Sequence, residues 1–206
     1  MVLLLQVFLS SCKKDAYLTD DGVHEAATPL STYDYLAANK YHIFDTLIMI
    51  IDHLNLKQEV NSAKTFFAPT NYSITRKINR YSLVYPSLDS VYKYMTADSL
   101  RQYILQTTVT LDAALETPVA YVTAGKTNAA VQKIKQTDPA YSQWSTYPVY
   151  TLNFIKVRGT MDDPDNPPPP NDPDVDTRVP CQTTGIQTSS GTTLHVLSNL
   201  HIFSTF

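Results

Sequence analysis

Ile43, Phe44, Leu47, Ile48, Ile51 and Leu54 recur at helical spacing, each with another of the set three or four positions away. That recurrence puts a broad apolar stripe along one side of a helix. Asp45, Asp52 and His53 fall off the stripe and read as its solvated face. Asp52 and His53 are adjacent, and adjacent helix residues do not face each other, so they form no acid–base pair. A shorter helix opens upstream at Leu30-Ser31-Thr32-Tyr33-Asp34, where Ser31 is placed to cap it and Asp34 sits near its positive end. Thr65-Phe66-Phe67-Ala68 reads as a short buried strand. Pro69 ends it, because proline brings no ladder donor. Thr70 and Asn71 then offer acceptors to the first N–H groups of a helix over about 72–81. Two more helices are predicted over 87–95 and 97–106, with Asp89 and Asp98 near their starts and Leu100, Ile104 and Leu105 on the buried side of the second.

The period changes near Pro118. Residues 119–123, a turn at Gly125, and 129–134 read as strands. Residues 148–157 form another, with Val149, Thr151, Asn153 and Ile155 on one face and Tyr150, Leu152, Phe154 and Lys156 on the other. Residues 193–203 make a final strand pair or one long bent strand. Helices dominate the first half and strands the second, a segregation that predicts an α+β fold. Between the strands lies a Pro/Asp-rich loop at 161–178 that includes four consecutive prolines, Pro167 to Pro170. Such a run favours polyproline II over helix or inner strand. Asp172, Asp174 and Asp176 alternate in a way that suits hard-oxygen coordination of calcium, but no glycine supplies the sharp turn and no bidentate Glu follows. The preferred reading is an exposed, acidic, semi-rigid loop.

Composition narrows the classes. With 206 residues the chain is long enough for one domain, and 43 % hydrophobic residues suffice for a core. Lys and Arg total 16 against 19 Asp and Glu, a net charge of −3 that offers no footprint for a nucleic-acid backbone. Low charge with 14 tyrosines suits an extracytoplasmic protein. Only two cysteines are present, Cys12 and Cys181, too few for a disulfide scaffold or a zinc site. Cys181, beside Pro180, reads as a small semi-buried side chain. No phosphate-cradling glycine loop, nucleophile elbow or paired carboxylate stands out, so neither an enzyme nor a cofactor is expected.

Residues 1–11 are uncharged, and their apolar core from Val2 to Leu9 is far shorter than the ~20 residues of a spanning helix. They read as a secretion signal. Leu9-Ser10-Ser11-Cys12 resembles the bacterial lipobox. The resemblance implies cleavage before Cys12, a diacylglycerol on its sulfur and an acyl chain on its new amine. Several chains together make a stable anchor where one is marginal. Lys13-Lys14-Asp15 resembles the tether of Bacteroidetes-type lipoproteins, which implies a cell-envelope location at the outer membrane, exposed on the surface. Residues 12–29 are then the anchored cysteine and its tether.

Three segments together resemble the fasciclin (FAS1) domain. The first is Tyr33, Tyr35, Leu36 and Asn39 followed by Phe44, Leu47 and Leu54. The second, Thr65 to Asn71, is similar to the family's first box and contains Phe67, Ala68, Pro69, Thr70 and Asn71. The third runs from Gly185 to Leu197, is similar to the second box, and contains Gly191, Leu194, His195 and Val196. The resemblance covers about 30–206. It implies a wedge-shaped β-sandwich of about seven strands covered by several helices, with the two boxes on neighbouring strands and His195 in a structural role. It further implies adhesion or surface interaction with a protein or glycan, the alternative being a carbohydrate-binding or assembly component of an envelope glycan-uptake system. Aromatics that could contact such a partner are Tyr81, Tyr85, Tyr92, Tyr94, Tyr141, Trp144 and Tyr147, with Tyr141, Trp144 and Tyr147 foremost.

Overall fold

The expected segregation of helices and strands is what the chain adopts. The computed structural model describes residues 27–78, 87–143, 145–163, 165–169, 171–204 and 206. Helices α1 (Thr32–Ala37), α2 (Asp45–His53) and α3 (Lys57–Ser62) precede strand β1 (Thr65–Ala68). Helices α4 (Asn71–Ile78), α5 (Leu88–Tyr94) and α6 (Ala97–Arg101) follow, then β2 (Ile104–Leu105), β3 (Val119–Val122) and β4 (Asn128–Lys135). A short α7 (Pro139–Ser142) leads to β5 (Tyr150–Lys156), β6 (Thr177–Gln187) and β7 (Thr193–Leu197).

Local chemistry accounts for most of the helix starts. The Ser31 hydroxyl accepts from Asp34 N and caps α1. Ser87 does the same for α5, and Thr96 with Ser99 forms a reciprocal capping box on α6. Helix α2 buries Leu47, Ile50 and Ile51, with Phe44 beside them, in the hydrophobic core. At ~1.5–3 kcal/mol for each large apolar side chain, this face outweighs any propensity term in holding the helix.

The helix expected over 97–106 stops at Arg101. Ile104 and Leu105 instead pair antiparallel with β1, Thr65 opposite Leu105 and Phe66 opposite Ile104. Both side chains are fully buried, and a buried two-residue apolar run suits a strand as well as a helix, so pairing decides. The expected strand over 193–203 ends at Leu197, and the chain turns at Ser198 to His201. Its partner is β6, which the sequence pattern hides: Pro180 interrupts it, and Gln182, Thr183 and Thr184 break its alternation. Helices α3 and α7 were likewise not expected.

All seven strands join one mixed sheet in the order β2-β1-β7-β6-β5-β4-β3. β6 makes this possible by changing partners. Its first residues, Thr177 to Pro180, pair with β5, and Cys181 to Gln187 pair with β7. Register shifts at Thr183 and the positive φ of Gly185 bend it between the two. A bridge from Thr123 to Leu105, with Ala124 N donating to Ile104 O at 2.8 Å, brings the far edge back to β2 and nearly closes the sheet like a barrel. Phe67 on β1 and Phe154 on β5 meet inside it at 4.6 Å, although two strands separate them in sheet order. Tyr103, Phe203 and Phe206 complete this aromatic centre. Ala27 bridges Gln187, and Thr28 N donates to Gln187 O at 2.8 Å, so the last residues assigned to the tether pair with β6 and the folded region begins before residue 30. Among the described residues, no helix is long and apolar enough to cross a membrane.

Candidate functional site

The two boxes meet side by side. β1 runs parallel to β7, with Phe66 level with Leu194, Phe67 with His195 and Ala68 with Val196. His195 is 0 % exposed, and its ring lies 4.9 Å from that of Phe67. Its Nε2 lies 2.9 Å from Val109 O, and its Nδ1 accepts from Gly185 N at 3.3 Å. One tautomer satisfies both contacts: the proton sits on Nε2, and Nδ1 is the acceptor. Burial holds the imidazole down at about 4, against the smaller opposing pull of the Val109 carbonyl. His195 therefore fastens the 109 loop and the β6 bend to β7.

Asn71 departs from expectation in an informative way. Its Oδ1 accepts from Thr46 N at 2.9 Å and its Nδ2 donates to His42 O at 2.7 Å. It caps the start of α2, a helix distant in sequence, while Thr70 donates to Asn199 Oδ1 at 3.0 Å. The expected local cap is thus a long-range clamp. Residues 79–81, the end of the helix expected over 72–81, lie outside the described residues. At the second box, Gly191 has φ +82° and open space around it, so the turn needs glycine for its backbone rather than for room. Thr32, Thr188 and Ser190 share hydroxyl hydrogen bonds of 2.9–3.0 Å, tying that turn to the start of α1.

The Pro/Asp loop connects β5 to β6. Asp176 organises it: one carboxylate oxygen accepts from Arg158 N and the other from Asp162 N, each at 2.9 Å. Asp162 Oδ2 accepts in return from Asp176 N. Asp172 Oδ1 is turned to Asp174 N in a local turn. Asp172 and Asp176 are thus turned to backbone N–H groups, and among the described residues no group of three or more acidic, His or Cys side chains converges as a metal ligand set.

Tyr141, within α7, and Tyr147, after it, are 58 % and 77 % exposed. Trp144 between them lies outside the described residues, as do Tyr81, Tyr85 and Cys12. Tyr92 is half-buried and stacks on His53 at 3.8 Å, and Tyr94 is exposed. Cys181 is buried, with its thiol pushed well above the usual range by desolvation.

One feature was missed from sequence. A cleft of about 380 Å³ opens where the end of α4, the end of β5 and the segment after β7 meet. Arg76 and Lys77 come from α4, Lys156 and Arg158 from β5 and beyond, and Thr177, Ile202 and Ser204 complete its wall. Phe203 N donates to Ser73 O at 3.0 Å, which lays the 202–204 segment along α4. Tyr103 Oη, bonded to Ser204 O at 3.1 Å, fixes it from beneath. Lys156 is 2 % exposed, and its ammonium donates to Ser204 Oγ at 2.7 Å and Ile202 O at 3.1 Å. Burial lowers it to about 8, with the charges of Arg158 and Lys77 adding to the effect. The signal was present: alternation along 148–157 put Lys156 on the same face as Leu152 and Phe154.

The sequence matches no protein-family model, and no curated protein matches it.

Proposed function

We propose that the chain is a fasciclin-like interaction module, carried at the cell envelope by lipid on Cys12 and serving adhesion or surface contact with a protein or glycan. The observation that carries this reading is the parallel pairing of β1 with β7. The two segments that resemble the family's boxes, far apart in the chain, become adjacent, with Phe67 and His195 in register. The nearly closed seven-stranded sheet with several helices supports the reading as a mixed α+β fold.

Cells expressing the wild type and Cys12→Ala test the anchor. The wild type should partition with membranes, take up radiolabelled palmitate and be shaved from intact cells by protease. Cys12→Ala should be released and unlabelled. An unlabelled wild type that behaves as Cys12→Ala does would overturn the reading. The exposure of Tyr141 and Tyr147 favours the glycan-uptake alternative as a second reading, since flat exposed rings stack on sugars. Binding on a glycan array that is lost with Trp144→Ala and Tyr147→Ala would support it, and an array without binding would reject it.

A further inference from the structure

We propose that the cleft between α4 and β5 binds a phosphate monoester of a small organic molecule. The inference rests on the cleft alone and depends neither on the lipid anchor nor on adhesion. Four cationic side chains, Arg76, Lys77, Lys156 and Arg158, line one depression on a chain whose net charge is −3. Among the described residues none of the four forms an ion pair; the ion pairs there involve other residues. Like charges gathered in one depression repel one another, and an anionic ligand would relieve that repulsion.

Lys156 is the strongest indication. Its ammonium carries three protons, and two are given to Ser204 Oγ and Ile202 O. Among the described residues the third has no protein acceptor. A buried cation with a spare donor is the complement of an oxyanion. Arg76 and Arg158 add guanidinium forks, which match phosphate oxygens in pairs. The surplus of positive charge favours a doubly charged phosphate over a singly charged carboxylate or sulfate ester. The cleft lies within the ~300–1,000 Å³ of small-molecule sites, so it has space for more than the phosphate group.

Calorimetric titration of the folded chain at low salt tests this with inorganic phosphate, glucose 6-phosphate, glucose 6-sulfate, glucuronate and glucose, each against sodium chloride of matched ionic strength. Glucose 6-phosphate should bind most tightly, the sulfate ester and glucuronate at least tenfold more weakly, and glucose not at all. Lys156→Met and Arg158→Gln should each weaken glucose 6-phosphate at least tenfold, while Lys64→Gln, outside the cleft, should not. Circular dichroism checks that each variant is folded, and Arg158→Gln, at the half-buried rim, keeps the test alive if Lys156→Met does not fold. Inorganic phosphate binding as tightly as the ester would overturn the assignment to an ester and leave the free ion as ligand. No binding beyond matched salt, or equal binding by the folded cleft variants, would overturn the site altogether.

Discussion

His195 makes the stability of this protein depend on pH in a calculable way. Its imidazole is enclosed, held neutral by one carbonyl and one N–H. A proton added to Nδ1 would face Gly185 N–H and have no acceptor. The folded chain therefore takes up this proton only near 4, against 6.5 for an ordinary histidine. The sign follows. As pH falls below 6.5 the unfolded chain binds a proton that the folded chain refuses, so stability is complete above 6.5 and drains away toward 4. At ~1.4 kcal/mol per tenfold change, the full window is worth about 3 kcal/mol, of which about 2 kcal/mol is gone at pH 5. His201 is lowered to about 3 by burial and then by the charge of Lys156, and it loses a similar amount in the same direction. Glu59, lowered by its hydrogen bonds to Arg101, begins to lose stability only below the ordinary carboxylate range, so the interval from pH 7 to 5 isolates the buried histidines. The assay is urea unfolding at pH 7 and pH 5. The wild type should lose about 4 kcal/mol over that interval, and His195→Gln, less stable at pH 7, should lose only about half as much. If folded His195→Gln loses as much as the wild type, or if nuclear magnetic resonance shows the His195 ring titrating near 6.5, the reasoning is refuted.

Phe67→Ala opens the aromatic centre between β1 and β5 and is expected to cost about 4 kcal/mol in chemical denaturation, whereas exposed Tyr147→Ala should stay within ~0.5 kcal/mol. Asp176→Ala leaves two backbone N–H groups of the Pro/Asp loop without their carboxylate and should cost about 1–3 kcal/mol; added calcium should leave the wild-type Tm unchanged, and a calcium-dependent rise would contradict the loop's self-satisfied hydrogen bonding. Gly191→Ala has room for its methyl but forces an L-residue to φ +82°, so a loss of about 1–2 kcal/mol is expected, read as a lower Tm. Lys156→Met removes a buried charge and should raise the unfolding free energy at pH 7 by about 1 kcal/mol; it should also abolish the gain that the wild type makes as pH rises from 8 toward 10.5, because there the unfolded chain alone retains the lysine proton.

The helical stripe from Ile43 to Leu54, the buried Thr65–Ala68 strand and the Ser31 cap were legible because each depends on a short-range period or one side chain beside its own backbone. The basic cleft was not, because Arg76, Lys156 and Ser204 come from three distant stretches and only their packing brings them to one place. Lys156 left a trace, a charged residue at an apolar-face position, yet alternation alone does not say whether such a residue reaches water or a buried carbonyl.

What local chemistry could settle from the chain was a helix-rich first half, a strand-rich second half, the α+β class and a low, slightly acidic net charge. Tertiary contacts decided the rest. Ile104 and Leu105 became strand rather than helix because β1 had an open edge for them, and Asn71 capped α2 rather than its own helix because the fold carried Thr46 within reach. β6 exists as a strand at all only because β5 and β7 flank it, since hydrogen bonding to neighbours, and not its own interrupted alternation, supplies the free energy that extends it.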